Sequence, residues 1–323
     1  MYLFLNGFLL IVFGALGMAP VTATAQTYPS KAVRMVIAFP AGGSADIVGR
    51  VMAQKMTENI GQQVVVDNRP GAGGNIAFEF VARAEPDGYT LINATPGIVT
   101  NLSLFRKTNF KLDDFTPIMH VGDAPLLIMV HPSLPVNNIM ELAKLAKARP
   151  GAVRFGSAGM GSSSHLASEV FRLMAGADML HVPYKGAAAP MQDVMGGQIE
   201  MTSVPIAESI PHVRAKRLKA LGQSGTKRSA IAADIPTLDE GGIKGYNVAT
   251  WYIVFGPAKM PREIVTRIHS EIDKVLKEPQ ILERYNSMGV NITASSQEQA
   301  AKFAQAEQAR WAKIIKASGI KAE

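Results

Sequence analysis

The sequence predicts an α/β protein of two lobes with a ligand cleft between them. Its 323 residues suit about two domains. Strand-like and helix-like segments alternate along the chain, which indicates parallel sheets covered by helices. Two long extended apolar segments, residues 115–130 and 246–255, interrupt this alternation. We interpret them as the crossings between the lobes, and a hinged cleft between lobes is an expected ligand site.

The first lobe is discontinuous in the chain, since residues 26–124 and 247–323 flank a second lobe at residues 125–246. Runs of β-branched and apolar residues predict its strands, and apolar residues at helical spacing predict its helices. The N-terminal part has predicted strands at 33–39, 62–66 and 89–94 and helices at 47–60 and 76–84. In the C-terminal part, Pro261 begins one helix, and Ser295 with Glu298 forms a capping box for the last helix. We expect these C-terminal helices to pack on the first lobe.

The same alternation restarts in the second lobe. Its predicted helices are 136–148, 165–175 and 188–196, and its predicted strands are 153–155, 180–184, 199–204 and 218–221. Each lobe therefore has its own strands and helices, as a two-lobed α/β fold requires.

Composition and charge exclude several classes of protein. With 47% hydrophobic and 18% charged residues, the chain has the balance of a globular protein, so long disordered tracts are not expected. The formal net charge is +7. The basic residues are scattered, however, and their densest group, at 214–219, is interpreted as a solvated face rather than a nucleic-acid site. The absence of cysteine excludes disulfides, thiolate catalysis and cysteine-bound metal.

The first 25 residues are predicted to be a secretory signal peptide. Residues 1–21 are almost wholly apolar, and Ala23-Thr24-Ala25 supplies the small-residue pattern for cleavage after Ala25. An uncleaved membrane anchor is the alternative, because the apolar run approaches the ~20 residues that span a bilayer and no Lys or Arg precedes it. We expect a periplasmic protein.

Two loops share a design that suits an anion. Residues 40–46 and 157–164 each follow a strand, are rich in glycine and serine, and lead into a helix. Helix starts present unpaired N–H groups and the positive end of the helix dipole. For either loop alone, an ordinary tight turn with a serine N-cap is an equal alternative. One such loop in each lobe, both able to face one cleft, favours binding.

Several residues are therefore candidates for contact with a ligand. Asp46 is interpreted first as a helix-dipole and capping group, and Lys185 could equally be a solvated loop lysine. The candidate ligand-binding residues are Phe39, Ala41, Gly42, Gly43, Ser44, Asp46, Thr95, Gly97, Ser157, Ala158, Gly159, Gly161, Ser162, Ser163, Lys185 and Val204.

Enzymatic motifs are not found in the sequence. The six histidines lack metal-ligand spacing. A nucleophile elbow needs glycine two residues before the serine, and Phe155 stands there before Ser157. The sequence lacks a Walker-type loop, and the Gly159-x-Gly161-x-x-Ser164 stretch is an incomplete dinucleotide fingerprint. We expect no enzymatic activity, no cofactor and no bound metal.

Six motifs occur in order along the chain, namely YPSK (28–31), FPAGGSAD (39–46), NRPGAGGN (68–75), PDGYTL (86–91), GSAG (156–159) and HVPYKG (181–186). With them the chain resembles the solute receptors of tripartite tricarboxylate transporters, the Bug receptors. The resemblance implies a periplasmic-binding-protein fold of type II whose two lobes close on a ligand. It also implies that the loops at 40–46 and 157–163 grip one carboxylate, and that a monomeric receptor passes it to a permease with one large and one small subunit.

The chain departs from this family's pattern at residues 203–205. The family often has Phe-Asp-Asn there, whereas this sequence has Ser203-Val204-Pro205. A valine facing the ligand would leave an amine or hydroxyl unpaired, which is costly, so we expect an aromatic or aliphatic acid. A ligand sensor of the same fold is the alternative function, and an exported hydrolase would need a nucleophile–base pair that the sequence does not assemble.

Overall fold

The computed structural model describes residues 28–320. The predicted signal peptide and its cleavage site after Ala25 lie outside the described residues. The strands are β1 (Val33–Ile37), β2 (Val64–Asn68), β3 (Thr90–Ala94), β4 (Phe115–Val130), β5 (Val153–Ser157), β6 (Met179–Pro183), β7 (Met201–Pro205), β8 (Lys219–Gln223), β9 (Ala249–Pro257) and β10 (Asn291–Ile292).

Helices cover the strands on both sides. They are α1 (Ser44–Ile60), α2 (Asn75–Ala82), α3 (Gly97–Leu104), α4 (Ile139–Ala148), α5 (Ser163–Ala175), α6 (Ala188–Met195), α7 (Ile206–Arg214), α8 (Arg262–Lys277), α9 (Pro279–Ser287) and α10 (Gln297–Ser318). The alternation of strands and helices predicted along the chain is confirmed, while α3, α7 and α9 were not predicted.

The strands follow the order β2-β1-β3-β9-β4-β7-β5-β6, and β8 and β10 pair with β4. Strands β1, β2 and β3 pair in parallel, as do β5, β6 and β7. These two parallel groups are the sheets of the two lobes, and the antiparallel strands β4 and β9 lie between them.

Strand β4, which contains the first predicted crossing, pairs with different strands along its length. Its residues 115–125 pair with β9, whereas its residues 126–130 pair with β7 and β8 of the second lobe. The second crossing begins later than expected, since β9 starts at Ala249 rather than at Tyr246. Tyr246 is instead fully buried and donates a hydrogen bond to the Ala167 carbonyl at 2.7 Å. The exact lobe limits stay a prediction.

The core lies on both faces of the sheet because neighbouring side chains of a strand point to opposite sides. On β9, Trp251 and Ile253 belong to one buried cluster, and Tyr252 and Val254 belong to the other. The C-terminal helices pack on the first lobe as predicted, because α8 contacts α1 and α10 contacts α3.

The predicted cap of the last helix is wrong by one residue. Ser296, not Ser295, is the N-cap of α10, and Gln299 completes the capping box instead of Glu298. The reason is tertiary, since the Ser295 hydroxyl accepts a hydrogen bond from the His120 backbone N–H of β4 at 3.0 Å. Ser295 is therefore held by the sheet, and the next serine caps the helix.

Candidate functional site

A cavity of about 260 Å³ lies between the lobes, beyond the carboxyl ends of β1, β5 and β7. Loops from both lobes form its wall, as expected for a ligand site at the carboxyl ends of parallel strands. The lining residues are Phe39, Pro40, Ala41, Gly42, Gly43, Ser44, Ala45, Thr95, Ala158, Ser162, Ser163, Ser164, Lys185, Gly186, Ala187, Ala188, Pro205, Glu208 and Thr250.

The structure brings most of the predicted ligand residues together on this wall. Those on the wall are Phe39, Ala41, Gly42, Gly43, Ser44, Thr95, Ala158, Ser162, Ser163 and Lys185. The others are not on the wall, namely Asp46, Gly97, Ser157, Gly159, Gly161 and Val204. Val204 is fully buried in the core and opposite Leu127 of β4, so the wall beside it is formed by Pro205 and Glu208.

Asp46 holds the β1–α1 loop in shape. Its carboxylate accepts hydrogen bonds from the Gly42 N–H at 2.9 Å, from Arg50 Nε at 2.9 Å and from Asn68 Nδ2 at 2.8 Å. Burial acts to raise the pKa of Asp46, but these hydrogen bonds outweigh it and hold that pKa below its ordinary value. Asp46 is thus an ionised side chain that positions Gly42, which lines the cavity.

Gly161 lies where the lobes touch. Its φ is +74°, and a Cβ placed on it would overlap Oδ1 of Asn101 in the first lobe. The Gly161 carbonyl also accepts a hydrogen bond from Thr100 Oγ1 at 3.3 Å. Glycine at this position therefore lets the β5–α5 loop approach α3 and brings the two lobes into contact.

The start of α5 is capped from within its own loop. The N-cap Ser162 accepts from the His165 N–H at 3.3 Å and donates to the Gly159 carbonyl at 2.6 Å. Ser164 Oγ accepts from the Ala158 N–H at 2.8 Å. These hydrogen bonds hold the loop in shape from within, and the loop presents the first turn of α5 to the cavity.

The start of α1 is capped from the other lobe. Its N-cap, Gly43, has no side chain to cap the helix. Instead, Glu208 Oε1 of α7 accepts a hydrogen bond from the Ser44 N–H at 2.6 Å across the cleft. Burial raises the pKa of Glu208 to about 7, although Ser44 partly offsets this effect. Sequence reasoning missed Glu208 because α7 itself was not predicted and the two residues are 164 positions apart.

Thr95 presents an unused polar group to the cavity. It follows β3, is only 4% exposed and lines the wall. Its Oγ1 has no hydrogen-bond partner within the described chain. Buried hydroxyl groups are nearly always paired, so Thr95 Oγ1 is an available donor beside the cavity wall.

The structure assembles a serine–histidine pair that was not predicted. Ser157 Oγ and His181 Nε2 lie 2.6 Å apart, and the His181 ring stacks between Phe155 and His165. Ser157 is fully buried and also accepts from the Gly159 N–H at 3.2 Å. Burial lowers the pKa of His181 to about 4, and no carboxylate in residues 28–320 bonds its ring. The pair lacks access and an orienting acid, so it stabilises the loop.

In the part of the chain that the structure describes, no group of three or more His, Asp or Glu side chains is arranged to hold a metal ion. No helix among residues 28–320 is both long enough and apolar enough to cross a membrane.

Comparisons with known proteins agree on one family. The family model described as tripartite tricarboxylate transporter family receptor matches residues 48–320. Protein BugT of Bordetella pertussis is 33% identical over 306 residues, covering 94% of this chain and 93% of BugT.

Solved structures match equally well. The R. palustris protein Rpa4515 with adipate has a TM-score of 0.87 and 34% identity, and covers 91% of this chain and 99% of its own. MatC from Rhodopseudomonas palustris with bound malate has a TM-score of 0.85 and 27% identity, and the match covers 89% of this chain and 100% of the MatC chain. These matches confirm the predicted two-lobed α/β fold.

Proposed function

Since the chain belongs to the tripartite tricarboxylate transporter receptor family, we propose that it captures a small carboxylate outside the cytoplasm and delivers it to a membrane permease. The permease has one large and one small subunit, as the family resemblance implies. The receptor acts as an exported monomer whose lobes close on the ligand. It performs no chemistry on that ligand, because neither Ser157 with His181 nor Ser133 with His131 lies on the cavity wall.

The observation that carries this proposal is the unpaired Thr95 hydroxyl beside a cavity that lies between two helix starts. Thr95 Oγ1 is a buried donor without an acceptor, and α1 and α5 both begin at the same cavity. The first-turn N–H groups of a helix have no acceptor within it. A carboxylate supplies acceptors to those first-turn N–H groups that remain unpaired, and it is attracted by the helix dipoles.

The size of the cavity limits the ligand. Its volume of about 260 Å³ is below the roughly 300–1,000 Å³ of sites for drug-sized molecules. A short-chain acid therefore fits better than a large aromatic or nucleotide ligand. The neighbouring structures were solved with adipate and with malate, both short dicarboxylates.

We assign different roles to the candidate residues. Thr95, Lys185 and the backbone N–H of Ser163 supply donors or charge to the ligand carboxylate from the wall, whereas the Ser44 N–H is already bonded to Glu208. The remaining wall residues of the two loops shape the cavity and let the backbone approach the ligand. The candidate residues that are not on the wall act indirectly. Asp46 and Ser157 hold the loops, and Gly161 permits the lobes to meet.

The test is calorimetric titration of the wild-type protein with a panel of C3–C6 acids, followed by titration of Thr95→Val. We expect the variant to bind the best acid about tenfold more weakly, since one hydrogen bond to a charged group is lost. Its ligand-free thermal stability should stay the same or rise, because an unpaired buried hydroxyl is removed. Loss of stability together with affinity would point to a structural role only.

Thr90→Val is the matched control. Thr90 lies at the opposite end of the same strand, β3, and is not on the cavity wall. We expect its affinity to stay within twofold of wild type. A wild-type protein that binds no acid in the panel would contradict the proposed function. Delivery is tested separately, by loss of uptake of the bound acid in cells that lack the gene.

A further inference from the structure

The side chain of Glu208 contributes a carboxylate to the wall of the cavity. It is carried by α7 of the second lobe, and its Oε1 accepts the Ser44 N–H of the first lobe at 2.6 Å. The Ser44 hydroxyl also contacts this carboxylate. A carboxylate has about four acceptor sites, so Glu208 keeps capacity for a further donor.

This contact makes the two helix starts unequal. The start of α5 is capped by its own Ser162 and presents its first turn to the cavity. The start of α1 already faces the Glu208 carboxylate, and a second carboxylate placed there would meet a like charge. The carboxylate of a ligand is therefore expected near α5 and Lys185 rather than near α1.

The charges on the wall are thus of both signs. Among the described residues that line the cavity, Glu208 is the one acid and Lys185 is the one base. A buried carboxylate that meets only apolar ligand atoms is costly. A ligand that offers a hydrogen-bond donor to Glu208 avoids that cost.

We propose that Glu208 sets the class of ligand, selecting a small acid that carries an ammonium or hydroxyl group in addition to its carboxylate. This inference rests on the proposed function and makes it more specific. It replaces the expectation of a purely apolar acid, which required Val204 to face the ligand. Val204 is buried in the core, and Glu208, one helical turn further along, stands on the wall instead.

The experiment compares matched acids by calorimetry at pH 8. At that pH Glu208 is mostly ionised, because burial raises its pKa only to about 7. Three series are used: propionate, lactate and alanine; succinate, malate and aspartate; and pentanoate with 5-aminopentanoate. In the series that binds best, we expect wild type to bind a donor-bearing acid at least about tenfold more tightly than the unsubstituted acid.

Glu208→Gln should reduce this preference to less than about threefold. The donor-bearing acid should bind more weakly because the negative charge of Glu208 is lost. The unsubstituted acid should bind more tightly because an amide that can donate a hydrogen bond replaces a like charge. Glu200→Gln is the control, since it removes a negative charge from the same lobe at an ion pair with Arg154, away from the wall. It should keep the wild-type preference.

Each result decides the inference. Equal wild-type affinity for donor-bearing and unsubstituted acids in every series that binds overturns it and leaves the proposed function standing. So does an unchanged preference in Glu208→Gln. If Glu208→Gln binds all the acids more tightly by the same factor, the Glu208 carboxylate occupies the position of the ligand carboxylate in the free protein and does not select between ligands. Failure of wild type to bind any of the acids overturns the proposed function and this inference with it.

Discussion

Replacing Gly161 with alanine tests whether the contact between the lobes contributes to ligand affinity independently of the stability of the fold. Gly161 has a φ of +74°, where an alanine costs about 1–2 kcal/mol relative to glycine. Gly197, also in the second lobe, has a φ of +68°, and a Cβ there meets nothing within 4 Å. Gly161→Ala and Gly197→Ala therefore carry the same backbone cost, and only the first adds a contact with the other lobe.

The size of the added effect follows from Asn101, whose Oδ1 the new methyl group would overlap. Asn101 is fully buried, and its Nδ2 donates to the Gly73 carbonyl at 3.0 Å and to Asn75 Oδ1 at 2.7 Å. Moving this side chain breaks both hydrogen bonds, at about 1 kcal/mol each. A cost of about 2 kcal/mol corresponds to roughly 30-fold in the dissociation constant. Because Gly161 and Asn101 belong to different lobes, this cost falls only on the closed form.

The assay is calorimetric titration with the acid that wild type binds most tightly, together with thermal unfolding without ligand. We expect both variants to lower the unfolding temperature by a similar few degrees. Only Gly161→Ala should lose affinity, by roughly 30-fold. If Gly161→Ala and Gly197→Ala bind the acid equally well, the contact between Gly161 and Asn101 is not part of closure and the reasoning is wrong.

Two further predictions concern carboxylates at the cleft. Asp46→Ala breaks three hydrogen bonds and leaves Arg50 bonded to Asn68 alone, so we expect a loss of about 2–4 kcal/mol in the free energy of unfolding. A loss below about 0.5 kcal/mol in urea titration would contradict the role given to Asp46. The folded-state pKa of Glu208 is raised from 4.5 to about 7. Between these two pH values the folded protein holds a proton on Glu208 that the unfolded protein has released. The free energy of unfolding should therefore fall by at most ~3 kcal/mol as the pH rises from about 4.5 through 7. The free energy of unfolding of Glu208→Gln should therefore change less between pH 5 and pH 8 than that of wild type. An equal change in the two proteins would contradict the raised pKa of Glu208.

Much of the fold could be predicted because its signals are local. The apolar spacing that begins at Ile47 and the glycine at position 61 predict α1 and its end, and Gly61 is indeed its C-cap with a φ of 68°. Short elements were missed where these signals are weak. Helix α7 has nine residues and contains Pro211, and proline inside a segment argues against a helix.

The candidate site could be predicted only in part, for the same reason. Glycine and serine at a strand–helix junction indicate a helix start that is open to an anion. This local signal identified Gly43, Ser44, Ser162 and Ser163, which line the cavity in the structure. Which side chain meets them from the other lobe has no local signal.

The sequence by itself determined the alternating strands and helices, the two Gly/Ser loops and the family. The tertiary structure alone decided that Val204 turns into the core, that Ser157 finds His181, and that the Glu208 carboxylate reaches the Ser44 N–H. Local signals act over one helical turn or along one strand. Contacts across the cleft depend on how two separately folded lobes approach each other, and no pattern within either segment encodes that distance.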